Sequence, residues 1–442
     1  MYTPIFDFVS HYSDSDSLRC HMPGHKGKNC GYPLLSPLFS LDITEIFGAD
    51  SLFHADGIIA QSEAAASSLF HCAYSCFSTS GSTLGIQTML ALMKLDNRSI
   101  IAARNVHRAF INAAALLGLD VFWLFPSASS NLLSADFSTN DAEKLLLLHP
   151  NSCIYITSPD YTGKIADIPA FAKLCHKYNA PLIVDNAHGA HLAFFQPSLH
   201  PINLGADLCC DSAHKMLPAL TGSAYVHTSQ KRFAPLIKQN MSLFASTSPS
   251  YLSLISLDLC NDYLAFHICD DINHCIPLIT QLKDDLSDSL IFADSEPFHI
   301  TICAALSGFN GLAFAQSLRK LSVECEYADD DIVILLMSPI CSDNDFFTLR
   351  SALRFTVNTL PHVKPSSQKF SVPVLKTAMS IRDATFSTYE TVNVENSVGR
   401  ICASVDVPCP PAVPIAVSGE IISQESVFIF KKYGINSVNV VK

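Results

Sequence analysis

The residues able to do chemistry gather in a few short stretches. The densest is Asp207-Leu-Cys-Cys-Asp-Ser-Ala-His-Lys-Met-Leu-Pro-Ala-Leu-Thr-Gly222, with Lys215 at its centre. The lysine follows Ser212-Ala-His214, behind one apolar run and ahead of another, where a buried amine would sit. Burial makes an ammonium costly, lowers its pKa and leaves a neutral nucleophile. Such an amine suits a Schiff base with an aldehyde. Taken alone, the stretch reads equally plainly as a loop with a surface lysine.

Other stretches change that balance. His107 follows the apolar run 99–103, and Ser158-Pro-Asp-Tyr-Thr-Gly163 follows 153–157. Asp185-Asn-Ala-His188 closes the run 181–185. Cys76-Phe-Ser-Thr-Ser-Gly-Ser-Thr-Leu-Gly85 reads as a short strand, a small-residue turn and a helix start. Such a turn offers an anion free backbone N–H groups and the positive end of a helix. Ser82 and Thr83 add hydroxyls, and the Gly-Lys-Ser/Thr of a nucleoside triphosphate loop is missing. Singly, Asp185 would serve as a helix cap and His107 as a loop histidine. Together, an amine, an acid, an aromatic nitrogen base and an anion cradle are the set that one pyridoxal phosphate site uses.

A further stretch, Arg19-Cys-His-Met-Pro-Gly-His-Lys-Gly27, holds His21, His25 and Lys26 in a loop shaped by Pro and Gly. No carboxylate stands beside these histidines in the chain, and Pro-Gly breaks helical spacing between them. The expectation is an ordered loop near an active site, with no metal.

The elements that must position these groups follow from hydrophobic rhythm. Strands are expected at 99–103, 121–125, 153–157, 181–185, 206–210 and 224–227, with helices at 109–117 and 168–178 between them. That alternation predicts an α/β fold, a mostly parallel sheet covered on both faces. Ligands bind such sheets beyond the carboxyl ends of the strands, where the candidate residues lie. An amphipathic helix is expected within 1–19, its face made by Ile5, Phe6, Phe8, Val9 and Tyr12, and a small-residue helix at 58–70. Residues 229–290 read as mainly helical, interrupted by Ser246-Thr-Ser-Pro-Ser-Tyr251. From about 290 the pattern shifts to a smaller α+β piece. The expected division is an N-terminal arm and helix over 1–70, a large domain over 71–288 and a C-terminal α+β domain over 289–442. Pro408, Pro410 and Pro411 predict a rigid irregular segment.

The totals fit this picture. The 442 residues are 49% hydrophobic and only 15% charged, which predicts a large apolar core in two or three domains. A net charge of −12 with no basic stripe argues against nucleic acid. The 16 cysteines are scattered and none forms Cys-x-x-Cys, so zinc ribbons are not expected. No run reaches the ~18 apolar residues that span a bilayer. The N-terminal sequence carries no secretory pattern. A cytoplasmic protein with free thiols, bound to neither nucleic acid nor membrane, is expected.

With these motifs in place, the chain resembles the Orn/Lys/Arg decarboxylases, basic amino-acid decarboxylases of pyridoxal phosphate fold type I, and most of all their short Gram-positive members. The resemblance spans nearly the whole chain. It rests on His21-Met-Pro-Gly-His-Lys-Gly27, the segment from Asp42-Ile-Thr-Glu45 to Asp56-Gly57, Gly81-Ser-Thr-Leu-Gly85 and Arg104-Asn-Val-His107. It continues through Val184-Asp-Asn-Ala-His-Gly-Ala-His191, Ser212-Ala-His-Lys215, Ser246-Thr-Ser-Pro-Ser-Tyr251, Val398-Gly-Arg-Ile401 and a Pro-Pro segment ending in Gly419-Glu420.

The resemblance implies an aspartate aminotransferase-like large domain with a smaller α+β C-terminal domain. It implies pyridoxal 5'-phosphate held by Lys215 as a Schiff base, Asp185 paired with the pyridine nitrogen and His107 stacked on the ring. Gly81, Ser82, Thr83, Ser212 and His214 are implied at the phosphate, and His188, one helical turn after Asp185, in the pocket. It implies decarboxylation of arginine, lysine or ornithine to a polyamine-pathway amine. It also implies a homodimer or larger homo-oligomer with the site at the interface, where the Ser246–Ser248 turn reaches the partner's phosphate. Two departures stand out: Asn186 where the family commonly has Glu, and Cys409-Pro-Pro-Ala412 where it commonly has Tyr-Pro-Pro-Gly. A basic side chain calls for a distal carboxylate, with Glu420 and Asp50 as candidates. The alternative is an aminotransferase or lyase on the same fold, which would place an arginine such as Arg382 or Arg400 against the substrate carboxylate.

Overall fold

The computed structural model describes residues 3–127, 134–365, 372–404 and 414–442. The chain opens with helix α1 (Pro4–Ser13), shorter than the 1–19 window. Ser13-Asp-Ser-Asp-Ser17 ends it, because these short polar side chains compete for backbone hydrogen bonds. Ile5 and Val9 are buried, and the first amides, Ile5 N and Phe6 N, both donate to Asp258 Oδ2 at 2.9 Å. Helices α2 (Ser36–Leu41) and α3 (Ile58–Leu69) follow.

The centre is a sheet of seven strands: β1 (Tyr74–Ser78), β2 (Ser99–Ala103), β3 (Val121–Leu124), β4 (Ser152–Thr157), β5 (Leu182–Asp185), β6 (Leu208–Asp211) and β7 (Ala224–Thr228), in the order β1-β7-β6-β5-β4-β2-β3. Strands β3, β2, β4, β5 and β6 run parallel, while β7 is antiparallel to both its neighbours. Helices α4 (Gly81–Leu95) and α5 (Arg108–Leu117) belong to one face with Tyr155, Ile183, Leu208 and Cys210. Helices α6 (Thr139–Leu148) and α7 (Ile168–Lys177) cover the other with Ile154, Ile156, Leu182 and Val184. Burial on both faces explains why the strands read as short continuous apolar runs rather than as alternating ones. Every expected strand is present, displaced by at most two residues at an end.

Local chemistry sets the helix ends. Asp167 accepts from Ala170 N to start α7, and Gly118, at φ +59°, ends α5 in the left-handed region where Gly has no Cβ penalty. Helix α4 lies close on the sheet through Gly85, where a Cβ would come 2.8 Å from Cys210 Cβ.

Beyond the one-turn helix α8 (Ala213–Met216) come α9 (Ala234–Met241), α10 (Tyr251–Phe266) and α11 (Ile268–Asp284). Two small antiparallel sheets follow. One joins β8 (His299–Ile302), β9 (Tyr327–Ala328) and β10 (Val333–Leu336) in the order β8-β10-β9, with α12 (Gly311–Lys320) and α13 (Asp343–Thr359). The other joins β11 (Tyr389–Asn393), β12 (Cys402–Ser404) and β13 (Ser437–Val441) in the order β11-β13-β12, with α14 (Ile381–Phe386) and α15 (Gln424–Lys432). The proline segment and Cys409-Pro-Pro-Ala412 lie outside the described residues.

Candidate active site

Strand register builds the site. Thr157 pairs with Asp185, and Asp185 with Cys210, so the carboxyl ends of β4, β5 and β6 form one row. The loops beyond this row and beyond β2 surround a cleft lined by Ser82, Asn105, His107, Thr157, Pro159, Asp160, Tyr161, Asp185, Ala187, His188 and Lys215. Four widely spaced stretches thus supply Lys215, Asp185, His107 and Ser82 to one place.

Asp185 is buried, and its carboxylate accepts from Ala187 N (3.2 Å) and Tyr155 OH (3.3 Å). Burial raises its pKa, against the pull of His107 and Lys215. His107 caps α5, its Nδ1 accepting from Ala109 N at 3.2 Å, so the neutral ring carries its proton on Nε2. Its surroundings lower its pKa through desolvation, with Lys215 and Arg108 adding to the effect and Asp185 opposing it.

Lys215 does not meet the expectation of a buried amine. It stands exposed at the cleft, because α8 is only one turn long and carries the side chain out past the end of β6. Its Nζ lies 2.9 Å from Nε2 of His188, which is buried. His188 sits in a turn after β5 rather than a helical turn, held by Gly189 N donating to Asn186 O at 2.8 Å. Desolvation first, then Lys215 and His299, hold the His188 ring well below the usual histidine range.

Gly81, Thr83, Ser212 and His214 are not in the cleft wall but border it through Ser82. Ser212 Oγ donates to Ser82 Oγ at 2.8 Å. Gly81, at φ +70°, donates its N–H to Gly222 O at 2.7 Å, tying the start of α4 to the end of the Lys215 stretch. His214 Nδ1 donates to Ser223 O at 2.9 Å, which leaves Nε2 for another partner.

Several expectations are corrected. Glu420 is no free carboxylate: it is buried and grips Arg104 in two parallel bonds of 2.7 Å. Asp50 accepts from Gly57 N and Ile59 N at 2.9 Å, capping the entry to α3. Arg382 donates to Leu116 O (2.7 Å) and Arg400 to Glu390 Oε1 (2.8 Å); neither lines the cleft. In the His21–Gly27 loop, His25 pairs with Asp42 at 3.1 Å and stacks on Phe39, a carboxylate the local sequence did not suggest, and no residue of the loop lines the cleft. Asn186 donates to Asp211 Oδ1 at 2.7 Å, where a glutamate would set a second carboxylate against Asp211. Asp211 also receives His200 (2.9 Å) and His227 (3.2 Å). His200, Asp211 and Cys209 stand within ligand distance of one another, but the carboxylate is already shared between His200, His227 and Asn186.

Sequence reasoning missed His299 and Glu296 and assigned no role of their own to Asn105 and Tyr161. Asn105 stood in a quoted motif without a role. Tyr161 lines the cleft, its ring edge-on to His188 at 5.5 Å, with its hydroxyl on Glu326 Oε1 at 3.0 Å. His299 reaches His188 from a distant stretch with Glu296 behind it, and a histidine in the strand Phe298-His-Ile-Thr-Ile302 carried no signal beyond that of a core histidine.

Comparison with known proteins agrees with the geometry. The family model "Orn/Lys/Arg decarboxylase, major domain" matches residues 3–310, and that of the family's C-terminal domain matches 362–433. An arginine decarboxylase from Halalkalibacterium halodurans is 29% identical over 96% of this chain and 92% of its own length. One from Bacillus subtilis is 28% identical over 97% and 93%. Among solved structures, the Francisella novicida lysine decarboxylase superposes with a TM-score of 0.83 at 14% identity, covering 100% of this chain and 81% of that one. The constitutive lysine decarboxylase of Escherichia coli gives 0.80 at 16%, covering 100% and 82%. The fold is that of pyridoxal phosphate fold type I, and the matched family implies that cofactor.

The residues present fit it. Asn105 Oδ1 and Thr157 Oγ1 are buried polar atoms at the cleft without a partner among the described residues. Asp185 offers an acid for a ring nitrogen and Lys215 an amine for an aldehyde. The first N–H groups of α4, with the Ser82 and Ser212 hydroxyls, offer donors for a phosphate.

Proposed function

We propose that this chain, which belongs to the Orn/Lys/Arg decarboxylase family, removes CO2 from a basic L-amino acid (arginine, lysine or ornithine) and releases the corresponding amine. The family makes it a pyridoxal-phosphate-dependent decarboxylase, a lyase. The observation that carries the site is the convergence of Lys215, His188, Asp185 and His107 on one cleft beyond the parallel strands. Arginine is the first substrate to test, because curated relatives covering nearly the whole chain are named arginine decarboxylases. Asp160, a buried carboxylate in the cleft wall, supports a cationic side chain.

Bound pyridoxal phosphate supplies the electron sink for the pair left when the Cα–carboxylate bond breaks. Lys215 supplies the amine that holds the cofactor's aldehyde. Asp185 would set its carboxylate against a cationic ring nitrogen, and a cation there would reverse the upward push that burial gives its pKa. Ser82, Thr83, Ser212, His214 and the amides after Gly81 would hold the phosphate, and His107 would cover the ring. His188 Nε2, 2.9 Å from Lys215 Nζ, is within reach to exchange a proton with it, and whichever of the two holds that proton would be the donor to Cα.

A second copy of the chain is part of this reading. Residues 18–47 expose an apolar surface for it, with Leu34 89% and Phe47 104% exposed. The exposed Ser246–Ser248 turn is proposed to serve the partner's phosphate. The proposed setting is the cytoplasm, with the amine entering polyamine chemistry. Among the described residues no helix is long and apolar enough to cross a membrane, and no disulfide forms.

The test supplies purified protein and pyridoxal phosphate with L-arginine, L-lysine and L-ornithine separately, and identifies the product by mass. One dominant amine is expected. A keto acid without CO2 would move the chain to the aminotransferase alternative.

A further inference from the structure

Behind the cleft, three histidines and a glutamate form a continuous chain that ends on Lys215. Glu296 is buried at the start of this chain. Its Oε1 accepts from His299 Nδ1 in a short contact, and its Oε2 accepts from His191 Nε2 at 2.9 Å and Phe298 N at 3.1 Å. An ionised carboxylate only accepts, so His299 carries its proton on Nδ1, and its Nε2 lone pair points 3.3 Å away at His188 Nδ1. His188 must then donate from Nδ1, which leaves the Nε2 lone pair facing Lys215 Nζ at 2.9 Å. Each bond fixes the tautomer of the next, and the negative charge sits at the far end.

Resting on the reading of Lys215 as the aldehyde-binding amine, we propose that His299 and Glu296 are positioning residues that hold His188 as the Nδ1–H tautomer, so that its Nε2 takes the ammonium proton of Lys215 and leaves a neutral nucleophile. The proton moves from Nζ to Nε2 with its charge, Nδ1–H stays bonded to His299, and the return of the same proton restores the ammonium. This supplies what burial would have done for an exposed lysine. Desolvation opposes an imidazolium at His188, but the opposing charge of Lys215 leaves with the transferred proton, and the Glu296 carboxylate favours the imidazolium through His299, as an acid behind a histidine does in a catalytic triad. Other titratable groups face the chain: Lys215, His107, Tyr161 and His191 around His188, and Lys283 toward Glu296. His191 fits the same assignment, since its Nδ1 is buried without a partner among the described residues and carries no proton when Nε2 donates.

Two measurements test this, and neither needs an amino-acid substrate. The first is the 15N NMR spectrum of the full-length apoprotein labelled at histidine, with His188→Gln assigning the resonance. An Nδ1–H tautomer for His188 is expected, and an Nε2–H tautomer would overturn the proposal without any variant of Glu296 having to fold. The second follows covalent capture of pyridoxal phosphate at Lys215 against pH, by absorbance and by the mass of the borohydride-reduced peptide. Glu296→Gln and His299→Phe should capture about 10-fold more slowly near neutral pH, the scale of losing a group that orients a histidine. The gap should close at high pH, where Lys215 loses its proton to solvent. Folded variants that capture with the wild-type pH profile would sink the positioning role. If wild-type Lys215 captured nothing, the reading of the site would fail instead, and the tautomer would still decide the chain of bonds.

Discussion

On the proposal above, Lys215 is an exposed group made reactive by what stands behind it. The amine faces the cleft, while His188 at 2.9 Å is buried and held neutral. Lys215→Ala removes the only primary amine in the cleft wall among the described residues and is expected to abolish both covalent capture of pyridoxal phosphate and amine production. The absorbance of the bound cofactor reads the first and product mass the second. A variant that kept the bound-cofactor band would put the attachment elsewhere.

At the scale of elements, the row Thr157, Asp185 and Cys210 concentrates chemistry at strand ends, and α4 and α5 deliver donors to the same edge. Elements also argue against an attractive acid as the substrate ligand. Asp50, at φ +69°, spends its carboxylate on the amides that enter α3. Burial pushes its pKa up, but the amides of Ser51, Asp56, Gly57 and Ala60 hold it below the ordinary value. Asp50→Ala should therefore cost ~1 kcal/mol of stability, the usual loss for a helix cap, and leave the preference among arginine, lysine and ornithine unchanged. Urea unfolding and the three-substrate assay check the two halves, and a changed preference would return Asp50 to the substrate.

At the scale of the whole molecule, two buried ionic centres join distant parts of the chain. Arg104, beyond β2, is locked to Glu420 and lies over Trp123, so the C-terminal segment is pinned beside the cleft. At the end of β6, Asp211 gathers His200, His227 and Asn186. Burial alone would lower the His227 pKa, but the Asp211 carboxylate overrides it and holds the ring up to about 9. A folded value above the ordinary ~6.5 stabilises the protein fully below about pH 6.5, and the contribution fades as pH rises through about 9. The loss should approach ~3 kcal/mol at 1.36 kcal/mol per pH unit. Unfolding midpoints from pH 6.5 to 9.5 should fall in the wild type and flatten in His227→Gln. An equal slope in both would assign the dependence elsewhere.

The sequence by itself determined what is local and periodic. Apolar runs of four to six residues alternating with amphipathic segments specified the parallel sheet, because a strand buried on both faces leaves no other pattern. Lys215, Asp185, His107 and Ser82 were legible because each follows such a run, and strand ends are where this architecture places ligands. What the tertiary structure alone decided is what depends on contacts far apart in sequence. It exposed Lys215 and brought His299 and Glu296 behind His188. It gave Glu420 to Arg104 and Asp50 to a helix start. Nothing in a residue's neighbours along the chain reports which carboxylate is already spent and which histidine faces another. Those facts follow from burial, where every polar group must find a partner wherever the fold places one.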